Sequence, residues 1–160
     1  MIKVFLSHQR ADSMVASRIA DRLKRYHSIE SYLDVIDPYV KANGEDLAAH
    51  IRKEMTNCTQ LLAVISDSTI ASQWVPWEIG VATEKNYPLA TYSQGYARPP
   101  EFLQKWPYLR SDADIDEYAK ASKRAASTYQ VRKSASFSDA SAQVSSTAEF
   151  FKSLRAGLGQ

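Results

Sequence analysis

The stretch Ser72-Gln73-Trp74-Val75-Pro76-Trp77-Glu78-Ile79-Gly80-Val81-Ala82 sets one carboxylate among apolar neighbours, four residues after one indole and one after another. On a helix, positions four apart share a face, so Trp74 and Glu78 would stand side by side. A carboxylate beside an indole can hold a flat ring next to a negative charge. The N-terminus of a helix favours the ionised form, and burial opposes it. A plainer role also fits: a glutamate completing a helix cap, with tryptophans filling the core.

The chemistry this pair suits is cleavage of an N-glycosidic bond. Breaking such a bond builds positive charge on the sugar carbon. A nearby carboxylate can stabilise that charge, hold ribose hydroxyls or attack directly. The leaving base stacks well on an indole such as Trp74. NAD offers this situation, because its nicotinamide is already cationic and leaves without an acid. One carboxylate then suffices in principle.

Other chemistries have less support. His8, His27 and His50 lack ligand-like spacing, and Cys58 is the one cysteine, so no metal site is expected. His8 follows the first strand and is a candidate for the crevice; His27 and His50 read as surface residues, and Cys58 as buried and without a chemical role. Neither common glycine-rich phosphate cradle is present. Asp67 ends a strand where a receiver domain carries its phosphorylated aspartate, but Ser7 and His8 stand where the required acidic pair would be. The basic residues Lys120, Lys123, Arg124, Arg132 and Lys133 read as a solvated face without the aromatic interleaving of a nucleic-acid surface. A net charge of +2 argues for neither nucleic acid nor an acidic membrane. The 44% hydrophobic and 24% charged content is that of an ordinary globular domain. No apolar run approaches the roughly 20 residues that span a bilayer, and a cytoplasmic location is expected.

These residues need a scaffold, and the chain supplies alternating strands and helices. Strands are expected over 2–6, 30–35, 60–65, 88–92 and, weakly, 107–110. The first helix is expected over 13–26, capped by Asp12 or Ser13, with Val15, Ile19, Leu23 and Tyr26 on its apolar face. Glu45 and Asp46 open a second, with Leu47, Ile51 and Met55 buried. A third covers 75–85, with Pro76 tolerated in its first turn, and a fourth 114–124. Residues 127–146 are rich in Ser and Ala and read as a loosely packed linker. A last helix over 147–158, carrying Phe150, Phe151, Leu154 and Leu158, docks on the domain or on a partner. The division is therefore 1–126 and 127–160.

Strict alternation argues for an open parallel sheet with helices on both faces. Ligands of such sheets bind outside the carboxyl ends of the strands, near the switch in strand order. The segments that meet there are 7–12, 34–44, 66–74 and the loop after Tyr92, and Glu78 faces the same crevice.

Four of these pieces together resemble the TIR (Toll/interleukin-1 receptor) domain, in its bacterial stand-alone form. Val4-Phe5-Leu6-Ser7-His8, followed by Asp12, is similar to the family's first strand and loop. Tyr32-Leu33-Asp34 and the run to Gly44 resemble its second strand and long loop, and Leu62-Ala63-Val64-Ile65-Ser66 its third strand. Ser72-Gln73-Trp74 through Glu78 matches the Ser-x-Trp-x-x-x-Glu pattern of NAD-cleaving members. The likeness spans 2–124. It implies a flavodoxin-like five-stranded parallel sheet in the order 2-1-3-4-5 and NAD cleavage by Glu78. Ser7, His8, Asp34, Asn43, Gly44 and Trp74 would bind the substrate. NAD is then substrate and not cofactor. Hydrolysis, cyclisation and ADP-ribosyl transfer share the first step. The resemblance also implies self-association through the loop 37–44, and a role in Thoeris-like anti-phage defence in which the product activates a separate effector. Where the family often has Cys after the Trp, this chain has Val75; that cysteine is not the nucleophile. Two alternatives stand beside this reading. Many TIR domains only bind other TIR domains. Glu78-Ile79-Gly80-x-Ala82 with Lys85 and Pro88-Leu89 also resembles nucleoside 2-deoxyribosyltransferases, which cleave an N-glycosidic bond with a glutamate on a similar sheet.

Overall fold

The computed structural model describes residues 1–33, 44–70, 74–93 and 99–160. The strands β1 (Lys3–Ser7), β2 (Glu30–Leu33), β3 (Gln60–Ile65), β4 (Leu89–Ser93) and β5 (Tyr108–Leu109) pair in parallel in the order β2-β1-β3-β4-β5. Among the described residues the helices are α1 (Ser13–His27), α2 (Gly44–Thr56), α3 (Asp67–Ile70), α4 (Trp74–Glu84), α5 (Asp112–Ser134) and α6 (Asp139–Leu158). This is the flavodoxin-like sheet the sequence leads one to expect.

The strands read as they do because both faces of the sheet are covered. Every residue of β3 is buried. Even positions (Val4, Leu6, Leu62, Val64, Ala90) pack against α1, α5 and α6. Odd positions (Phe5, Leu61, Ala63, Ile65, Leu89) pack against α2 and α4 through Ile51, Met55, Val75 and Ile79. Each such fully buried large side chain contributes about 1.5–3 kcal/mol relative to exposure.

Two expectations on the first face need correction. The buried stripe of α1 is Ala16, Ile19 and Leu23. Tyr26 stays 71% exposed, with the Arg22 guanidinium 5.3 Å over its ring. It lies in the last turn, and Ile29, just past the helix, fills the core there instead. The left-handed Ser28 (φ 56°) reverses the chain between them. His27 is not a plain surface residue. Its Nε2 meets Asp116 Oδ1 of α5 at 2.8 Å, and Arg22 binds the same carboxylate with Nε and Nη2 at 2.9 and 2.7 Å. These contacts bolt α1 to α5.

The stretch expected as a loose linker is a helical hairpin. α5 starts at a capping box made by Ser111 and Asp114, and runs unbroken to Ser134. Residues 135–138 turn the chain into α6, which begins eight residues before the expected 147. The seam between the helices is lined by small residues: Ala121, Ser122 and Ala125 on α5, with Ala142 and Ser146 on α6, all buried. Small residues let helix backbones approach closely, and their hydroxyls are satisfied locally. Ser122 Oγ donates to Tyr118 O at 2.8 Å, and Ser146 Oγ to Ala125 O at 2.7 Å. α6 docks on the domain itself: Phe150 and Leu154 are fully buried, and the Phe150 ring stands edge-on to Tyr118 with centroids 5.5 Å apart.

Candidate active site

The carboxyl ends of β1 and β3 flank the point where strand order reverses. Ser7 is the last residue of β1 and fully buried. Its odd parity points it to the α2/α4 face, where its Oγ donates a hydrogen bond to Oε2 of Glu78. Glu78, on α4, is 2% exposed. The β3 residue paired with Ser7 is Ala63, which pairs in turn with Thr91 of β4. Ala63 is the smallest side chain of that row.

Pro76 lies in the first turn of α4, where amides have no intrahelical partner, so the helix tolerates it. Trp74 is one turn before Glu78 and half-buried against the α2/α4 core. Its ring meets Trp77 edge-on, 5.6 Å between centroids at 87°. A carboxylate and an indole thus follow each other along one face of one helix.

His8 is buried, and its Nδ1 lies 2.9 Å from Leu6 O. A carbonyl only accepts, so Nδ1 carries the proton, and in the neutral ring Nε2 keeps the lone pair. Nε2 is buried and has no hydrogen-bond partner among the described residues. Asp12 does not cap α1, contrary to expectation: its side chain makes no cap bond. It accepts instead from Ser66 Oγ at 2.7 Å, which ties the loop after β1 to the end of β3. Sequence reasoning missed this pairing, because the cap position and the crevice are the same few residues.

Of the residues expected to bind substrate, Ser7 touches the expected catalytic Glu78, His8 follows Ser7 in sequence, Trp74 lies one helical turn before Glu78, and Gly44 opens α2. Asp34 and Asn43, and residues 37–43 of the loop expected to touch a neighbouring subunit, lie outside the described residues, as do Ser72 and Gln73. Two hydroxyls that sequence reasoning passed over, Thr91 Oγ1 and Ser93 Oγ, are buried on the same sheet face with no hydrogen-bond partner among the described residues; their parity in β4 was the available signal. Among the described residues no cluster of His, Cys, Asp and Glu could hold a metal, and no helix is long and apolar enough to cross a membrane. Burial pushes the Cys58 thiol up to about 11, which leaves it an inert core residue.

Among the described residues several cavities open, and one of about 490 Å³ lies on α4 itself, beside Arg52, Trp77 and Glu84. One of about 600 Å³ runs along α1 beside Met14, Arg18, Arg22 and Asp112. Another of about 280 Å³ opens at the amino end of the sheet beside Gln60, Pro88, Ser122 and Gln143.

A parallel sheet in the order β2-β1-β3-β4-β5, with a buried, hydrogen-bonded carboxylate near its switch point, defines a flavodoxin-like α/β domain. The family profile described as TIR domain matches residues 4–122, and the chain belongs to that family. No curated protein matches it. The family holds both NAD-cleaving enzymes and signalling adaptors, and its domains self-associate.

Proposed function

We propose that this TIR domain cleaves the nicotinamide–ribose bond of NAD, with Glu78 as the catalytic carboxylate. The observation that carries this reading is the buried Ser7–Glu78 pair at the carboxyl ends of the strands. As the C1′–N bond breaks, its electron pair leaves with nicotinamide and positive charge grows on the sugar carbon. A carboxylate held in place by Ser7, in surroundings poor in water, stabilises that charge without reorganising. Trp74 offers a face to the leaving base, and Ser7, His8, Asp34, Asn43 and Gly44 contribute to holding the substrate. Water, a ribose or base atom of the same molecule, or another acceptor then takes the sugar carbon. Self-association assembles the active form, in the cytoplasm, and the product signals to a separate effector in anti-phage defence.

One observation favours the adaptor reading. Glu78 is nearly fully buried and already hydrogen-bonded, which is also how a structural carboxylate looks. The test is to incubate the protein, across a range of concentrations, with NAD beside a Glu78→Gln variant, and to follow nicotinamide and the ribose product by chromatography and mass. Release by wild type alone supports the proposal. No release at any concentration, with the variant equally folded, favours the adaptor. Base exchange on a deoxynucleoside, without action on NAD, would transfer Glu78 to the deoxyribosyltransferase reading.

A further inference from the structure

The net charge of +2 conceals an uneven distribution. Residues 120–144 carry five basic side chains, Lys120, Lys123, Arg124, Arg132 and Lys133, against one acid, Asp139, while the rest of the chain holds more acids than bases. These residues form the far half of the α5–α6 hairpin. The amino end of the sheet lies level with its middle. Gln60, which opens β3, donates through Nε2 to Ser122 Oγ at 3.0 Å, and Thr147 Oγ1 donates to Asn86 O, ahead of β4, at 2.7 Å. α5 runs on past Ser122 to Ser134, a rise of about 18 Å. The hairpin end therefore overhangs the sheet, opposite the carboxyl ends of the strands. From Gln130 to Ser141 every residue is exposed except the half-buried Arg132.

This end is apolar as well as basic. Among the described residues seven large apolar side chains are exposed, and three of them fall here: Val131 at 63%, Phe137 at 46% and Val144 at 56%. Val131 and Val144 are turned from the seam of their helices, and Phe137 stands in the turn between them. Both valines lie within about 8 Å of the helix ends that meet at this turn. The end is also held in one shape. Lys133 Nζ and Tyr129 Oη hold Asp139 Oδ1 at 2.6 and 3.0 Å across the turn, and the Arg132 guanidinium lies 5.1 Å over the Phe137 ring. Lys120 pairs with Glu117 and Lys133 with Asp139, which leaves Lys123, Arg124 and Arg132 with no carboxylate partner among the described residues.

We propose that the end of the α5–α6 hairpin docks on an anionic lipid bilayer, with Val131, Phe137 and Val144 entering the headgroup region and the basic side chains meeting the lipid phosphates and carboxylates. Charge selects an anionic partner. Shape selects a fluid one: the apolar groups project to different sides of a convex end, where a rigid protein touches one side and a bilayer closes around all. Depth agrees, since amphipathic segments sit about 5–10 Å into the headgroup boundary. A nucleic-acid strand calls instead for aromatic rings spaced along a basic groove, and Phe137 is the one exposed aromatic ring at this end. All but the first of the docking residues lie beyond the family match, which stops at 122: only Lys120 falls within it. The contact is peripheral, leaves the carboxyl ends of the strands facing away from the lipid, and stands whether or not the domain cleaves NAD.

The test floats the full chain with vesicles of phosphatidylcholine alone and of phosphatidylcholine with about one third phosphatidylserine. Binding should be confined to the second and fade as salt rises. Arg132→Gln and Phe137→Ser should each weaken it by about fivefold or more. Asp139→Asn removes the acid, frees Lys133 and keeps an oxygen for Tyr129; it should tighten binding about fivefold with an unchanged urea midpoint, a gain that loss of fold does not mimic. A polarity-sensitive dye on Ala135→Cys, the native Cys58 being buried, should shift to the blue on the anionic vesicles and stay unshifted with a short single-stranded RNA. No flotation with anionic vesicles, equal flotation with both kinds, or an Asp139→Asn variant that binds no tighter than wild type overturns the inference. Binding of the RNA with no dye shift on vesicles also overturns it, and assigns the basic end to a polyanion instead.

Discussion

Removing the Ser7 hydroxyl isolates what holds the candidate carboxylate. Ser7 Oγ donates to Glu78 Oε2 where both residues are buried. A hydrogen bond to a charged group is worth about 1.5–3 kcal/mol, and one between neutral groups about 1 kcal/mol. Ser7→Ala should therefore cost about 2 kcal/mol at neutral pH. For a chain of this length each kcal/mol moves Tm by roughly 2–4 °C, so the drop should be about 4–8 °C. Glu78→Gln keeps an oxygen that accepts from Ser7 but removes the charge. In that background Ser7→Ala should cost only about 1 kcal/mol. The assay is a double-mutant cycle by urea unfolding, followed through Trp74 and Trp77, which report on α4 directly. A coupling of about 1 kcal/mol is the expected outcome. Equal losses in both backgrounds would refute the charge-assisted bond, and a loss within about 0.5 kcal/mol of zero, as at an ordinary surface site, would refute the contact altogether.

Other outcomes follow from the α1–α5–α6 side of the molecule. Hydrogen bonds from the Arg22 guanidinium, with help from His27, hold the Asp116 carboxyl down to about 2, against the burial that would raise it. Because the folded value lies below the ordinary 3.8, its contribution is present above that value and lost as pH falls through about 2. The side chain is 29% exposed, so roughly 1 kcal/mol is at stake; Asp116→Asn should flatten the urea midpoint against pH between 5 and 2 by about that much. Phe150→Ala should cost about 3–5 kcal/mol, measured by the same unfolding; a cost under 1 kcal/mol would mean that α6 is not part of the core.

The fold was legible because its signals are large. Leu61 to Ile65 is an unbroken apolar run, and only a strand covered on both faces reads that way. Glu78 was legible because a carboxylate among apolar residues has few uses. The hairpin was not, for a physical reason. Hydrophobic patterning looks for big side chains, while the α5–α6 seam is made of Ala121, Ser122, Ala125, Ala142 and Ser146, buried by fit and not by size. Asp12 was misread because one carboxylate near a helix start can cap the helix or reach Ser66, and only the sheet's register brings Ser66 near. Gln160, whose side chain accepts from Tyr108 N and donates to Tyr108 O, gave no signal at all, since a lone amide has no spacing to betray it.

The hairpin also bears on how the chain acquires its structure. Its two helices are joined across 135–138 and meet without any distant partner. The sheet, by contrast, joins β1 to β3 across more than fifty residues and β1 to β2 only through α1. Closing long loops before contacts reward them is slow, and local contacts form early. The last third of the chain, whose end wraps β5, is therefore expected to become protected before the strands it will cover. Pulse-labelled exchange during refolding reads this directly: α5 and α6 amides ahead of β3 would agree, and the reverse order would show that the sheet is the template on which the hairpin forms.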